Sequence, residues 1–355
     1  AFVTQPVVKT VDAFGNFSIV GLGASVPLTL TLQSGTGTLA GTVSADVGTG
    51  GTLGVATFTD LQIDTAGAKT LRASATLGGP VMVDSASFTI GAGAASALVF
   101  TTEPSGATAG AAFVTQPVVK TVDAFGNLST VGLAASVPLT MTVQSGSGTL
   151  VGTVSIDIDT DETLGVTTFT DLQIDAAGAK ILRASATLGG VVTMDSASFT
   201  VVPDVAHHLA FLAQPTDAVA GATQAASVEV EIFDLFGNRV TTATDTVALA
   251  FGTNPSSATL GGTTSLAAVA GVATFPGLTV SAAGNDYTLV ASSGVLTNST
   301  SATFDIVAAG GTGHGHRGSS GGGGCGLGSA ASFAALMMML LMVRLRSGRR
   351  SDHHV

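Results

Sequence analysis

Three places in this chain of 355 residues hold side chains that could perform chemistry. The first is an acidic loop with Asp157, Asp159, Asp161 and Glu162. Carboxylates at alternate positions suit Ca²⁺, but an EF-hand loop also requires Gly at its sixth position and Glu at its twelfth, where this loop has Glu162 and Thr168. The sequence therefore excludes an EF-hand and leaves two interpretations: a looser calcium site at a rim or between domains, or a solvated acidic loop.

The second place is a set of paired histidines, namely His207–His208, His314 with His316, and His353–His354. No pair has a convincing third ligand near it in the sequence, whereas a structural zinc site normally closes with four ligands. We therefore predict no bound metal at these pairs. The only cofactor the sequence leaves open is calcium in the acidic loop.

The third place is Cys325, the single cysteine of the chain. An enzyme needs a nucleophile with a nearby base, a carboxylate pair in a cleft, or a metal constellation. The sequence shows none of these before residue 308, and one cysteine permits no disulfide within a domain. We predict no catalytic residue and no enzymatic activity.

These residues are embedded in a repeated sequence. AFVTQPVVKTVDAFGN, which opens the chain, returns unchanged at 112–127 and more loosely at 226–238, and Gly15, Gly126 and Gly237 are spaced 111 residues apart. A fixed period of this kind indicates tandem structural units. We predict three domains, which we name by their residues: repeat 1 (1–93), repeat 2 (94–203) and repeat 3 (204–308).

Repeats 2 and 3 open with a segment that repeat 1 lacks. The segment is SALVFTTEPSGATAGA from Ser96 in repeat 2 and AHHLAFLAQPTDAVAGA from Ala206 in repeat 3. We therefore expect repeat 1 to lack its first β-strand, as it would in a fragment of a longer chain.

Short apolar runs bounded by Gly, Pro, Ser or Asp predict β-strands throughout the repeats. In Val137–Val143 apolar residues alternate with Thr, as in a sheet with one face on a core. The strands predicted in repeat 2 are Leu98–Thr102, Val114–Val122, Val137–Gln144, Gly148–Ser155, Val166–Ile174, Ala179–Ala186 and Met194–Val202. Seven strands in about 100 residues favour an all-β fold, with each repeat an immunoglobulin-like β-sandwich.

Aromatic and leucine residues on the apolar faces are the predicted core. They are Phe125, Phe169, Leu182 and Phe199 in repeat 2, and Phe14, Phe58, Leu71 and Phe88 at equivalent positions in repeat 1. The motif Asp123-Ala-Phe-Gly-Asn127 predicts a turn, because an Asp side chain can bond the backbone ahead of it while Gly and Asn accept a positive φ. Its recurrence in all three repeats favours a structural role over a ligand site formed by Asp123 and Asn127.

Charge divides the chain into an acidic body and a basic end. Residues 1–310 contain 22 Asp and Glu against 7 Lys and Arg, whereas residues 311–355 contain five Arg and one Asp. Phosphate binding requires clustered Lys and Arg, so the acidic body excludes nucleic acid as a partner.

The C-terminal part changes composition abruptly. Residues 309–326 are Gly-rich and predict a flexible tether. Residues 327–343 are seventeen uncharged residues; as a helix they would span about 25 Å, slightly less than the ~30 Å of a bilayer core. We predict a transmembrane helix, in preference to a buried helix, followed by a basic tail (344–355). Its arginines, Arg344, Arg346, Arg349 and Arg350, place that end in the cytoplasm and the repeats outside.

The repeats resemble a known bacterial family. The frames LVFTTEPSGATAGAAF, VKTVDAFGN and GVTTFTDLQIDAAGAKILRASA in repeat 2, and LAFLAQPTDAVAGA and VEIFDLFGN in repeat 3, are similar to the tandem immunoglobulin-like repeats of invasin-type surface proteins. The resemblance covers residues 1 to about 307. It implies a β-sandwich fold and a structural or adhesive role, and it carries no catalytic residue.

The end of the chain resembles a second known feature. Four glycines, Gly321 to Gly324, then Cys325, an apolar segment and arginines are similar to the tripartite C-terminal sorting signals of bacterial surface proteins, of the GlyGly and Myxo types. That resemblance implies a membrane-embedded sorting protease as a partner, cleavage near Gly324 and a lipid on Cys325. Otherwise Cys325 is a palmitoylation site or an idle thiol.

Together these features predict a non-catalytic, exported cell-surface repeat protein that acts as a stalk or spacer and is anchored or sorted through its C-terminus. Strands of about eight residues at ~3.3 Å each, together with their loops, make each sandwich roughly 35–40 Å long, so three in line would project on the order of 100 Å. The alternative is an adhesin that binds a protein of a host, cell or matrix through rim loops or a strand edge.

Overall fold

Alternating apolar and polar residues form β-strands along the whole repeated part of the chain. The computed structural model describes residues 2–48, 53–158 and 165–310. These residues contain 32 β-strands and no α-helix, which confirms the all-β class. None of the described segments is a helix able to cross a membrane. The predicted helix at 327–343 lies outside the described residues, as do the tether beyond Gly310 and the basic tail.

Repeat 1 forms nine strands in its described residues. They are β1 (Val7–Lys9), β2 (Pro27–Ser34), β3 (Leu39–Ala40), β4 (Ser44–Asp46), β5 (Val55–Thr57), β6 (Gln62–Ile63), β7 (Gly67–Thr76), β8 (Pro80–Asp84) and β9 (Phe88–Ile90). The larger sheet has the order β4-β2-β7-β8, and β9 also pairs with β7. Strand β1 pairs with β5, and β3 with β6.

Repeat 2 has the same plan with two further strands at its start. Its strands are β10 (Ala97–Thr102), β11 (Ala107–Thr108), β12 (Val118–Val122), β13 (Pro138–Ser145), β14 (Leu150–Val151), β15 (Ser155–Asp157), β16 (Val166–Thr168), β17 (Gln173–Ile174), β18 (Gly178–Thr187), β19 (Val191–Asp195) and β20 (Phe199–Val202). One sheet has the order β10-β12-β16. The other has the order β11-β20-β18-β13-β15, with β19 paired to β18, and β14 pairs with β17. The β11–β20 pair is parallel, so the opening segment touches both sheets.

Repeat 3 follows repeat 2 closely. Its strands are β21 (His208–Ala213), β22 (Ala218–Val219), β23 (Val228–Phe233), β24 (Thr246–Phe251), β25 (Leu260–Gly261), β26 (Ser265–Ala267), β27 (Val272–Phe275), β28 (Thr279–Val280), β29 (Gly284–Tyr287), β30 (Leu289–Ser292), β31 (Ser299–Thr300) and β32 (Phe304–Val307). The sheets have the orders β21-β23-β27, β22-β32-β29, β26-β24-β30-β31 and β25-β28.

Each repeat is a sandwich because its two sheets bury their apolar faces against each other. In repeat 2, Leu98 and Val119 of one sheet belong to the same buried cluster as Leu139, Met141 and Leu182 of the other. Repeats 1 and 3 have separate clusters of the same kind. Burial of this apolar area supplies the main stabilisation, at about 25 cal/mol per Å².

The buried residues confirm most of the predicted core. Phe58, Leu71, Phe169, Leu182 and Phe199 are buried. Phe88 is half-buried, with its ring 5.3 Å from that of Phe2.

The core prediction is wrong for two residues. Phe14 and Phe125 are 90% and 68% exposed. Phe14 lies in the turn that starts at Asp12, and Phe125 in the turn that starts at Asp123. In both turns the side chain points away from the sandwich interior. Periodicity within a strand therefore does not extend into the turn that follows it.

Several predicted strands of repeat 2 are interrupted in the structure. The run from Val166 to Ile174 is two strands, β16 and β17, that pair with different partners. Between them the Asp171 carboxylate accepts hydrogen bonds from the amide and hydroxyl of Thr153, at 2.8 and 2.9 Å. A chain segment that passes from one sheet to the other must interrupt its ladder of hydrogen bonds. The pattern of apolar residues does not show where that interruption lies.

By backbone contacts, residues 1–309 form one compact unit and Gly310–Val355 a second, of which Gly310 alone is described. The three buried clusters lie inside the ranges predicted for repeats 1, 2 and 3. The boundaries at 93, 203 and 308 stay predictions.

Candidate functional site: the joints between repeats

The Asp-x-Phe-Gly-Asn turn is built around one carboxylate. In repeat 2, Asp123 Oδ1 accepts hydrogen bonds from the amides of Phe125 and Asn127, at 2.9 and 3.0 Å. Gly126 has a φ of 83°, a conformation that a residue with a Cβ rarely adopts. The predicted turn is therefore present, and its Asp performs the predicted role.

Asn127 extends beyond its own repeat. Its Nδ2 donates to the backbone carbonyl of Asp64 in repeat 1 at 2.8 Å, and its Oδ1 accepts from the backbone amide of Ala66 at 2.9 Å. A side-chain amide carries the same donor and acceptor as a peptide group. Asn127 thus pairs with the distal turn of repeat 1 as a neighbouring strand would.

The same carboxylate also holds the linker between the repeats. Asp123 Oδ2 accepts from the backbone amide of Gly93 at 2.8 Å. The hydroxyl of Ser129 donates to the carbonyl of Gly93. One joint therefore fixes three segments: the linker, the turn of repeat 2 and the distal turn of repeat 1.

The joint between repeats 2 and 3 repeats this geometry. Asn238 Nδ2 donates to the Asp175 carbonyl at 2.8 Å, and Asn238 Oδ1 accepts from the Ala177 amide at 2.8 Å. Asp234 Oδ2 accepts from the Asp204 amide at 2.9 Å. The linkers differ in sequence, Gly-Ala-Gly against Val-Pro-Asp. The joint therefore depends on the Asp and Asn side chains and on backbone groups of the linker. We call this arrangement the Asp–Asn clasp.

A buried lysine holds each distal turn from inside the sandwich. Lys180 Nζ donates to the carbonyl of Ala177 at 2.9 Å, and Lys69 Nζ donates to that of Ala66 at 3.2 Å. Both residues are at most 2% exposed. Burial lowers the pKa of Lys180, and the charge of Asp175 opposes that shift. The turn that receives Asn238 is thus bonded on both sides.

Electrostatics favour an ionised clasp. Burial would raise the pKa of Asp123, but hydrogen bonds from the Asn127 side chain and from the Gly93, Asn127 and Phe125 amides lower that pKa to about 2. The balance has the same direction at Asp234, whose pKa is also lowered. Asp12 of repeat 1 is exposed, and hydrogen bonds from Asn16 lower its pKa.

The second joint has an aromatic contact as well. Phe236 lies so close to Gly110 that a Cβ added there would come within 2.0 Å of the ring. Phe236 is 44% exposed, whereas the equivalent Phe125 is 68% exposed.

The predicted calcium residues are only partly described. Asp157 accepts hydrogen bonds from the Ser136 hydroxyl and from the Val137 amide, the latter at 3.0 Å. Asp46, its equivalent, makes the same two contacts in repeat 1, to Ser25 and Val26. Asp159, Asp161 and Glu162 lie outside the described residues, so the calcium site stays a prediction.

The remaining predicted sites also lie partly inside and partly outside the described residues. The His207 and His208 rings lie 5.7 Å apart, and His208 stacks on Phe233. Within the described part of the chain, no group of three His, Cys, Asp or Glu side chains is placed to hold a metal. Gly324, Cys325, the four arginines from Arg344 to Arg350 and the tail histidines lie outside it.

Asn16, Asn127 and Asn238 follow the Gly of positive φ in all three repeats. Each Asn side chain donates to the Asp carboxylate of its own turn, so the turn accounts for the recurrence of Asn. The further contact of Asn127 and Asn238 with the preceding repeat is therefore a finding of the structure that sequence reasoning missed.

The chain is similar in structure to several solved proteins. FdeC, an adhesin of Escherichia coli, is 20% identical with a TM-score of 0.33, over 86% of this chain and 92% of that one. Mouse cadherin-23 EC22-24 is 12% identical with a TM-score of 0.31, over 85% and 92%. A β-glycosidase from Bacteroides vulgatus is 13% identical with a TM-score of 0.27; the match covers 59% of this chain and spans only 24% of that enzyme.

No protein-family model and no curated protein sequence matches the chain. All three TM-scores above lie below 0.5, so we assign the chain to none of these proteins. Its own fold and joints define its class: a tandem β-sandwich chain whose successive repeats are joined by Asp–Asn clasps.

Proposed function

We propose that this protein is a non-catalytic cell-surface repeat protein that acts as a stalk or spacer. The observation that carries the proposal is the identical clasp at both joints. Each clasp adds two inter-repeat hydrogen bonds, worth about 1 kcal/mol each, and fixes the linker with a third. A linker held in this way loses the freedom of a Gly-rich chain, and stiff joints are what a spacer requires.

We propose that the C-terminal part anchors or sorts this stalk. The uncharged segment 327–343 and the following arginines support a membrane orientation with the repeats outside and the C-terminus cytoplasmic before any processing. The Gly-rich segment before it supports a tether. Cleavage near Gly324 by a sorting protease and a lipid on Cys325 rest on the sequence resemblance alone.

A second candidate is adhesion through a strand edge. It is favoured by β19 of repeat 2, an edge strand on which Val191 and Met194 are 78% and 38% exposed. Exposed edges accept strands of other chains unless they are blocked. The two candidate functions are compatible, since a stalk can also expose a strand edge that binds another protein.

The stalk proposal predicts that height follows the number of repeats. The full chain would be placed in a supported bilayer, with a fluorophore on Cys substituted for exposed Thr31 and Cys325→Ser to keep the label unique. Fluorescence interference contrast then measures the height of the label. Deleting 94–204, one period of 111 residues, should lower it by about 35–40 Å.

The double variant N127A/N238A should lower the mean height with all three repeats present, because both clasps are lost. Asn16→Ala is the matched control, since Asn16 bonds Asp12 within its own turn, and the variant should keep the full height. A height that does not change on deletion would contradict the spacer function.

A further inference from the structure

The distal turn of repeat 3 has the same backbone frame as the distal turn of repeat 2, which receives the clasp. In repeat 2 the Gly110 amide donates to the Ile174 carbonyl at 2.9 Å. In repeat 3 the Gly221 amide donates to the Val280 carbonyl at 2.8 Å. Both glycines have a positive φ, of 72° and 76°. The turn that follows Val280 therefore corresponds, residue by residue, to the turn that follows Ile174.

Strand register extends this correspondence to the residues that leave each repeat. Val202 and Val307 stand at the same place in the parallel strand pairs of repeats 2 and 3. Ala309 follows Val307 by two residues, as Asp204 follows Val202. Ala309 is thus the counterpart of the linker residue whose amide the clasp holds in the second joint.

Three backbone groups that the clasp binds in the second joint are free at the corresponding places in repeat 3. Asn238 and Asp234 together bond one carbonyl and two amides of the chain that precedes them. Their counterparts form no hydrogen bond within the described part of the chain. These counterparts are the Ser281 carbonyl and the amides of Ala283 and Ala309. All three residues are exposed, so a partner can reach them.

The aromatic contact of the second joint also has an open counterpart. A Cβ added to Gly110 would come within 2.0 Å of the Phe236 ring, because that ring packs directly on the glycine. A Cβ added to Gly221 would meet nothing within 4 Å among the described residues. Repeat 3 therefore has the same glycine in the same conformation, and the space above it is open to a ring.

Side chains inside repeat 3 hold its distal turn without help from another repeat. Tyr287 stands in the place of the buried Lys180, and its hydroxyl donates to the Ala282 carbonyl at 2.9 Å. The Ser256 hydroxyl donates to the Ala283 carbonyl at 2.6 Å. A turn that is already fixed in this way loses little conformational freedom when it binds a partner.

We propose that the distal end of repeat 3 binds a β-sandwich repeat of another polypeptide that carries an Asp-Xaa-Phe-Gly-Asn turn. The site, which we call the open end site, consists of Gly221, Ser281, Ala283 and Ala309. The Asn side chain of the partner pairs with the Ser281 carbonyl and the Ala283 amide. Its Asp carboxylate accepts from the Ala309 amide, and its Phe ring packs on Gly221.

The two filled joints of this chain are the reason for naming this partner, because the same turn occupies both of them. The residues that follow repeat 3 do not supply the turn, since 311–355 contain no Asn. The proposal goes beyond the spacer function and does not depend on it.

The test uses the full chain carrying Cys325→Ser and a cyclic peptide with the sequence of 233–239, closed by a disulfide between two added cysteines. Phe233 and Arg239 pair across this turn in the repeat, so the ring keeps the turn in shape. In NMR spectra of the chain we expect saturable shifts of the Ala283 and Ala309 amides up to millimolar peptide. The Ala177 amide should not shift, because Asn238 of the chain already bonds it.

Peptide variants test the contacts one by one. The N238A peptide should bind at least about tenfold more weakly than the parent, because it loses both hydrogen bonds of the Asn amide. The F236A peptide should also bind more weakly, because it lacks the ring that packs on Gly221. Equal binding of the parent and N238A peptides, or the absence of any shift at Ala283, would overturn the proposal.

Two chain variants provide a matched control. Gly221→Ala places a methyl group where the ring packs and should weaken binding of the parent peptide, but not of the F236A peptide. Gly294→Ala introduces the same kind of backbone strain at another glycine of positive φ with open space around it, and it should leave binding unchanged. Equal effects of G221A and G294A on binding, or peptide-induced shifts at Ala177 in place of Ala283, would contradict the open end site.

Discussion

Asn127 and Asn238 use a side-chain amide where a β-sheet would use a peptide group. Gln116 does the same within repeat 2, since its amide donates to the Leu172 carbonyl at 3.0 Å and accepts from the Leu172 amide at 3.1 Å. Such pairs satisfy backbone groups of short segments, although the Leu172 carbonyl also accepts from the Phe113 amide at 3.0 Å. At the scale of the residue, the joint therefore uses the same donor and acceptor pairing as a β-sheet, with an Asn side chain in place of one peptide group.

Acid should loosen the first joint over a defined range. The pKa of Asp123 is about 2 in the folded chain against an ordinary value of 3.8. A depressed pKa contributes stability above the unfolded value and loses it as pH falls through the folded value. We expect the Ala66 amide, which bonds Asn127, to lose hydrogen-exchange protection between about pH 4 and pH 2, with a stability loss on the order of 2 kcal/mol.

Asp123→Asn is the comparison for this measurement. Other carboxylates of the chain also have lowered pKa values, including Asp60 and Asp171. The difference between wild type and D123N isolates the joint from them. Identical pH profiles for the two chains at Ala66 would contradict the account.

One buried hydroxyl of repeat 2 lacks a hydrogen-bond partner. Thr167 is fully buried, and its Oγ1 bonds to nothing among the described residues. The equivalent positions are Ala56 and Ala273. Thr167→Val removes the hydroxyl with little change of volume, so we expect it to raise the free energy of unfolding by about 1 kcal/mol. Urea unfolding measures this, with exposed Thr168→Val as a near-neutral control; a destabilised T167V would show that the hydroxyl is satisfied.

At the scale of the element, the sandwich could largely be predicted from alternation, while strand ends could not. Leu182 and Phe199 are buried as the period of two requires. The breaks near Asp171 and before Phe199 depend on which strand lies beside the chain, and that is a non-local property. The exposed Phe125 has the same origin, because the neighbour of a turn belongs to another repeat.

The opening segment of repeat 2 also shapes the joint with repeat 3, and a comparison of Gly110 with Gly221 isolates this contact. Gly110 and Gly221 have φ values of 72° and 76°, but a Cβ at Gly110 would meet Phe236, whereas one at Gly221 would meet nothing within 4 Å. Both Gly→Ala changes cost about 1 kcal/mol in backbone strain. We expect G110A to destabilise the chain by a further 1–3 kcal/mol, on the order typical of overpacking.

Chemical unfolding of the two glycine variants measures that difference, and F236A added to G110A should remove most of it. Equal destabilisation by G110A and G221A would mean that Phe236 does not pack tightly on repeat 2.

At the scale of the whole molecule, the sequence predicts the all-β class and the repeated plan because the period of 111 residues is visible directly. The clasp could not be derived in the same way. Its partners, such as Asn127 and Asp64, lie 63 residues apart and meet only once both repeats have folded. The predicted anchor stays a prediction, since 311–355 lies outside the described residues.

The stiffness of the first joint is the central claim and can be measured directly. Spin labels at Thr31→Cys and Thr142→Cys, equivalent exposed positions in repeats 1 and 2, report the distance between them in the full chain carrying Cys325→Ser. We expect a narrow distance distribution by double electron–electron resonance, a clearly broader one in N127A and no change in N16A. A broad distribution in the parent chain, or an unchanged one in N127A, would contradict the clasp.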